Sequence, residues 1–257
     1  MKSIRLTLGG LARAPLFTAV ALASLALGIG ANTAIFSLLD RLLLRTLPVQ
    51  APDQLVNLYH PGPVQGSSST DEGDMPSFSY PMFRSMQKQQ TPFTGLAARS
   101  GVTLSLSHGN RAVPGRGYLV SGSYFDVLGV EPALGRMFTE DDDRTPGGHP
   151  VVVLAYPYWT TRFGADTAML NEKLVVNGQP FIIVGVAARG FISERPGDTP
   201  DVFLPITMKK EVTPEWNDEL TNRRNYWVTL FARLKPGVTI EQAGNGHQHG
   251  VRVRARS

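Results

Sequence analysis

The stretch Leu16 to Leu39, LFTAVALASLALGIGANTAIFSLL, runs for 24 residues without one charged side chain. As an α-helix rising about 1.5 Å per residue it would extend roughly 36 Å, more than the ~30 Å hydrocarbon core of a bilayer. Eleven of its residues are Leu, Ile, Val or Phe. Each favours the bilayer centre by about 0.3–0.6 kcal/mol, which outweighs the scattered Gly, Ser, Thr and Asn. The stretch reads as one transmembrane helix. A buried core helix of this length would carry some charge. A cleaved signal peptide would have a shorter apolar run and a small-x-small cleavage site, whereas Asp40 and Arg41 follow here.

Charge is distributed unevenly around that helix. Residues 1–45 carry five Lys or Arg and one Asp, and the remaining 212 residues carry 20 of each sign. The basic balance therefore belongs to the membrane end and gives no footprint of nucleic-acid binding. Lys2, Arg5 and Arg13 precede the apolar run with no acid among them. By the positive-inside rule this end is cytoplasmic and the main body lies outside, although Arg41 and Arg45 weaken the asymmetry. Ile4, Leu8 and Leu11 recur at helical spacing, so residues 1–15 read either as an amphipathic leader on the inner membrane surface or as a disordered one. Ala26, Gly30 and Ala34 form a small-x-x-x-small stripe on which another helix could pack. Phe36, Leu39 and Leu43 continue the helical pattern, so residues 16–45 are expected to form the span and a stalk that Pro48 terminates.

Beyond the stalk the pattern is α+β. Gln54–Tyr59 reads as a strand and His60–Pro76 as a mobile polar loop. Ser79–Gln90 reads as a helix with Met82, Phe83 and Met86 inward. Phe93–Ala98, Val102–Leu106 and Arg111–Val120 follow as three strands, then a short helix over Ser123–Leu128. Val151–Leu154 is a fully apolar strand and Tyr156–Phe163 an aromatic-rich helix. Lys173–Val186 reads as a hairpin turned by Asn177-Gly178 in type I′ geometry. Asp201–Ile206 and Tyr226–Leu234 are further strands, and Thr239 opens a helix. No βαβ rhythm and no internal repeat is present, and residues 46–243 form the outer body. Residues 244–257, GNGHQHGVRVRARS, lose the apolar pattern and read as a disordered basic tail; a frameshifted or truncated gene end is one explanation.

No catalytic, cofactor or metal residues are expected. The chain has no G-x-x-x-x-G-K-[ST] loop, no G-x-S-x-G elbow and no H-E-x-x-H, so it is not read as an enzyme. Zero cysteines exclude disulfides, a thiolate zinc site and a cysteine nucleophile. His60, His108 and His149 sit beside Gly or Pro and read as solvated turn residues; His247 and His249 make at best a weak metal pair. Asp141–Asp143 lack EF-hand spacing and read as the start of a helical turn capped by Thr139. Tyr156, Tyr158 and Trp159 could stack a ligand, but at helical spacing they read as core.

The chain resembles the permease subunits of MacB-type, FtsX-like ABC transporters, in their duplicated orphan form. The resemblance is carried by ALGIGANTAIFSLLDRLLLRTLPV at 26–49, FSYPMFRSMQKQQTPFTGLAA at 78–98 and YLVSGSYFDVLGVEPALGRMFTEDDD at 118–143. VVVLAYPYWTTRFGAD at 151–166, LVVNGQPFIIVGVAARGF at 174–191 and ARLKPGVTIEQA at 232–243 extend it over residues 1–243. It implies an inner-membrane protein with one N-terminal transmembrane helix and a MacB-like periplasmic core domain, usually two α+β lobes. It also implies a separate ABC ATPase subunit, a second permease copy and a periplasmic adaptor as partners beside the lipid bilayer. The implied function is efflux or mechanotransmission in a permease that is truncated here. The alternative is a stand-alone anchored periplasmic binding or adaptor module.

Overall fold

A computed structural model describes residues 15–39, 49–60, 66–68, 78–89, 92–109, 111–195, 197–215, 220–245 and 252–255. The chain divides into two compact units, Met1–Thr46 and Leu47–Ser257. The first contains helix α1, Pro15–Leu39, with no acidic residue in its first turn and no basic residue in its last. Proline suits a first helical turn, where its missing N–H would have no partner anyway. Leu16, Val20, Leu22, Leu25, Leu27, Ile29 and Ile35 are all exposed, so apolar side chains surround the helix rather than forming one stripe. The Thr33 hydroxyl donates back to the Ile29 carbonyl at 2.8 Å, keeping its polar group inside the helix. Side chains of α1 are described without interruption only over residues 22–33. Among the described residues no helix is long and apolar enough to cross a membrane. The leader (1–14), the stalk past Leu39, and His247 and His249 lie outside the described residues.

The second unit is built on one sheet. Its strands are β1 (Leu55–Tyr59), β3 (Phe93–His108), β4 (Arg111–Val120), β5 (Pro132–Gly135) and β6 (Val151–Leu154). β7 (Lys173–Val176), β8 (Gln179–Ala187), β9 (Val202–Pro205), β11 (Thr229–Leu234) and β12 (Arg252–Ala255) complete it. The order is β12-β1-β11-β3-β4-β9-β6-β8-β5, with β7 bridging β3 and β8. The pairings β3–β4, β4–β9, β9–β6, β6–β8, β8–β7 and β7–β3 therefore close on themselves into a six-strand ring. A small separate pair joins β2 (Ser67–Ser68) to β10 (Asn225–Tyr226). The helices are α2 (Tyr80–Gln87), α3 (Tyr124–Leu128), α4 (Tyr156–Phe163), α5 (Lys209–Val212) and α6 (Ile240–Asn245).

Strand periodicity explains why the sheet carries a core on each face. In β4, Leu119 joins one apolar cluster while Tyr118 and Val120 join the other. In β6, Val152 and Leu154 go one way and Val153 the other; in β9, Val202 and Leu204 oppose Phe203. With both faces covered, these strands read as unbroken apolar runs such as VVVL and VFLP. Trp227, Phe83 and Phe181 fill the first cluster, and Tyr124, Phe125 and Phe203 the second. Full burial of each such side chain contributes about 1.5–3 kcal/mol.

Charge is also sealed into the second face. Arg99 and Glu194, 3 % and 0 % exposed, form an ion pair, and the Tyr124 hydroxyl donates to the same carboxylate. The Arg99 guanidinium lies 4.9 Å from the Tyr118 ring centre, and the Tyr118 hydroxyl donates to Asp198. Burial, followed by the charge of Glu194, raises the Tyr124 pKa well above its ordinary value and keeps its proton in place. Such a pair is costly to desolvate but more costly to break, since losing one partner strands the other in apolar surroundings.

Several expectations are corrected by this architecture. Phe93–Ala98 and Val102–Leu106 are one continuous strand, because β11 pairs up to Arg99 and β4 pairs from Arg99 onward, carrying the chain through its polar middle. The α+β class stands, but residues 47–257 form a single compact unit rather than two lobes, since the shared sheet leaves no seam. The loop over His60–Pro76 contains β2. The tail expected to be disordered contributes β12, which pairs with β1 and lays Arg254 over the Tyr59 ring. Asn177 and Gly178 both take positive φ, as the type I′ turn requires.

The three acids at 141–143 lie in the expected turn, with the N–H groups of Asp142, Asp143 and Arg144 donating to the carbonyls of Thr139, Glu140 and Asp141. The cap differs: Asp142 reaches back, accepting from the Thr139 backbone N–H at 2.9 Å and from its hydroxyl at 3.1 Å, and holds both Arg136 terminal nitrogens. Although burial pushes its pKa up, those hydrogen bonds outweigh it and hold the carboxyl below the usual range. Asp141 pairs with Arg144 at the surface. Asp143 is fully buried and accepts from the backbone N–H groups of Thr207 at 3.1 Å and Gly122 at 3.3 Å. Burial raises its pKa from 3.8 to about 7, against those hydrogen bonds.

Two consequences are measurable. Gly135 and Gly185 face each other where β5 crosses β8, and a Cβ on Gly185 would lie 2.0 Å from the Arg136 carbonyl oxygen. Gly185→Ala should cost about 1–3 kcal/mol in denaturant unfolding. A carboxyl whose folded pKa is raised stabilises the fold below its unfolded pKa and loses that contribution as pH rises toward the folded value. Unfolding free energy should therefore fall between about pH 4 and pH 7 by up to about 1.4 kcal/mol per pH unit, and Asp143→Asn should remove that slope.

Candidate functional site

The residues with the most specific local geometry sit where the chain leads into the second unit. A 3-10 turn, Pro52–Gln54, precedes β1, and Ala51 before it is left-handed at φ 41°. That conformation costs a non-glycine residue about 1–2 kcal/mol and needs outside support. Arg233, on β11, supplies it. Its Nη1 donates to the Ala51 carbonyl at 3.2 Å, while its Nε donates to the Val127 carbonyl at 2.8 Å. The Gln50 backbone N–H donates to the Leu128 carbonyl at 3.1 Å, and the Gln50 side chain lies against Gly129. One guanidinium and one amide thus satisfy carbonyls that the end of α3 leaves without helical partners. The result is a clasp that ties the lead-in segment to α3 and to the centre of the sheet.

Burial lowers the pKa of the Arg233 guanidinium, against the opposing charge of Asp53, but an arginine stays protonated at neutral pH. Its Nη2 is buried and has no hydrogen-bond partner among the described residues. Arg233 holds two carbonyls with neutral–charged hydrogen bonds, which contribute about 1.5–3 kcal/mol each.

Beside the clasp runs an open groove of about 690 Å³. Gln87, Lys88 and Gln89 at the end of α2 form one wall, and Ser123 and Val127 of α3 the other. Its floor is β3 over Thr94–Leu96. On the side away from β11, no described strand pairs with β3 before Ala98, where Ser121 takes up the ladder. The Leu96 carbonyl accepts from the Ser123 hydroxyl at 2.7 Å.

The residues weighed from the sequence are dispersed. Trp159 is buried, donates its indole N–H to the Asp166 carbonyl at 2.9 Å and packs on Tyr156, which is the core reading. His108 lies edge-on to Phe163, and its Nδ1 is 3.4 Å from the Lys173 carbonyl oxygen. His60 and His149 lie in separate parts of the chain from it. Among the described residues no three His, Asp or Glu side chains gather as a metal site. Sequence reading passed over Arg233 and Arg99, although both stand out as charges inside apolar strand patterns, TLFARL and FTGLAARS. A charge there signals a specific buried partner.

The same architecture occurs in solved structures. The extracellular domain of the noncanonic ABC-type transporter YknZ from Gram-positive bacteria matches at TM-score 0.53 and 16 % identity, over 78 % of this chain and 99 % of that one. The periplasmic region of MacB from Actinobacillus actinomycetemcomitans matches at 0.55 and 17 %, over 79 % and 88 %. A domain of a putative permease protein from Porphyromonas gingivalis matches at 0.55 and 16 %, over 81 % and 93 %. Identities this low establish a shared fold. No curated protein sequence matches the chain. The MacB-like periplasmic core domain family matches over residues 18–248, nearly the whole length, and the chain belongs to that family.

Proposed function

We propose that this protein is the membrane-anchored periplasmic part of an ABC-type permease. Helix α1 crosses the inner membrane once with its N-terminus in the cytoplasm, and the second unit stands in the periplasm. A separate ATPase subunit, acting on two permease copies, moves the helix, and the domain follows. The domain performs no catalysis of its own. The observation that supports this best is one chain in which a 25-residue helix without charge precedes a domain of the MacB-like periplasmic family.

The clasp supports the mechanical part of the reading. A pull on a loose lead-in would be absorbed as slack. A pull on one tied through Gln50, Ala51 and Arg233 loads α3 and β11 together. The groove favours a second reading, an anchored binding module, which needs the same anchor but no stiff lead-in.

The chain has no cysteine, so single cysteines report topology cleanly. In spheroplasts, a membrane-impermeant maleimide should label Thr161→Cys at once and Ser3→Cys only after permeabilisation, with the protein resisting carbonate extraction. The reverse labelling, or release by carbonate, overturns the anchor. Arg233→Met should speed amide exchange at Gln50 and at α3 by about 10–100-fold while leaving β6 and β8 unchanged, the scale of one lost charged hydrogen bond. Equal acceleration everywhere would make Arg233 a general stability residue, and no change would remove the clasp from the mechanism.

A further inference from the structure

We propose that the groove between α2 and α3 is a docking site for an extended, acidic segment of a partner protein, which adds along the free edge of β3. The proposal stands whether or not the chain transports anything.

Charge is the first observation. Arg84, Lys88, Arg233 and Lys235 line the groove, against Asp126 and Glu140. None of the four cations is ion-paired among the described residues; the Arg84 Nη1 donates to Gln87 at 3.1 Å. Lys88 and Lys235 are exposed and free to close over an occupant. This surplus contrasts with the body after residue 45, whose charges balance. Arg233 is held in the clasp, so Arg84, Lys88 and Lys235 are the cations that face an occupant, and cations along one trough steer and orient an acidic partner more than a neutral one.

The second observation is the floor. Alternate residues of β3 turn their backbone groups toward opposite neighbours. The Ala98 carbonyl accepts from the Ser121 N–H and its N–H donates to the Ser121 hydroxyl, so Ala98 faces away from β11. Leu96, two residues earlier, faces the same way. Its carbonyl meets only the Ser123 hydroxyl, and its N–H has no strand opposite it among the described residues. An exposed strand edge recruits another extended chain by main-chain hydrogen bonding. A lipid headgroup or free phosphate would satisfy the cations but leave this edge unused, which favours a peptide.

The gap has a structural origin. β4 ends at Val120, and the turn through Ser121–Ser123 lifts the chain into α3 instead of continuing beside β3. α2 covers the other side with Phe83 and Met86 packed inward. Both helices flank the edge without adding a strand to it, which leaves the groove open along Thr94–Leu96.

The test uses the full chain in phosphatidylcholine nanodiscs and three fluorescent, end-capped hexapeptides of alternating Val-Glu, Val-Gln and Val-Lys. The Val-Glu peptide should bind at least about tenfold more tightly than the Val-Gln peptide, weaken as salt rises, and slow amide exchange at Leu96. Lys88→Glu combined with Lys235→Glu should weaken Val-Glu binding by at least about tenfold, with an unchanged unfolding midpoint, and should admit the Val-Lys peptide. The Gln pair at the same positions should fall between. Equal binding of Val-Glu and Val-Gln, indifference to the charge reversals, or an unaltered Leu96 amide overturns the proposal. So does preferential binding of phosphatidylglycerol vesicles through the same lysines, which would assign the groove to lipid.

Discussion

Every other part of the second unit hangs on the hydrogen bonding of β3. Sixteen residues long, this strand pairs with β11 through its first half, with β4 through its second, and with β7 at its end. A strand of ordinary length is about five or six residues. Its extra length lets one backbone belong both to the ring that β4, β9, β6, β8 and β7 complete and to the open flank of β11, β1 and β12. A slip of one residue would turn Leu104 and Leu106 out of the core and Thr103 and Ser105 into it. The register of β3 therefore fixes which face of the whole sheet is which.

Closure then divides the mechanical character of the domain. Ring strands have neighbours on both sides and a filling of Leu, Val, Ile and Phe, so bending one displaces all. The flank has a free side where β3 lacks a partner, and there the specific polar contacts concentrate. Arg99 with Glu194 lies just inside the junction, and Arg233 with Ala51 and Val127 at its rim. Apolar packing tolerates sliding, because one methyl replaces another at little cost. A guanidinium aimed at two carbonyls does not, because a displaced donor leaves buried acceptors unsatisfied.

What the sequence made legible follows from how local each signal is. The Asn177-Gly178 turn and the helix starts at Ser79 and at Thr239 are decided by a few neighbouring residues: Ser79 accepts from the Met82 N–H, and Thr239 and Gln242 bond reciprocally. All three were readable. The polar break at Arg99–Gly101 suggested two strands, because the partners that hold it extended come from residues 117–120 and from Thr229. The helical turn at Asp141–Asp143 is local and present, yet its three carboxylates answer to separate partners: Arg144, Arg136 and a backbone pocket made by Gly122 and Thr207. No local pattern encodes a partner 64 residues away. The candidate site was half legible for the same reason: Arg233 stands out within TLFARL, but the carbonyl it reaches lies 182 positions earlier in the chain.

The lead-in meets the sheet through α3, and α3 is five residues long with Tyr124, Phe125, Val127 and Leu128 all buried. Its exposed residue, Asp126, lines the groove. Tyr124 ties the helix to the buried ion pair through its hydroxyl, which donates to Glu194, while the Val127 and Leu128 carbonyls receive the clasp. Rotating α3 would have to break one set or the other, each costing on the order of a charged hydrogen bond. The physical chemistry that places an arginine in an apolar strand is thus the same that joins the lead-in to the core.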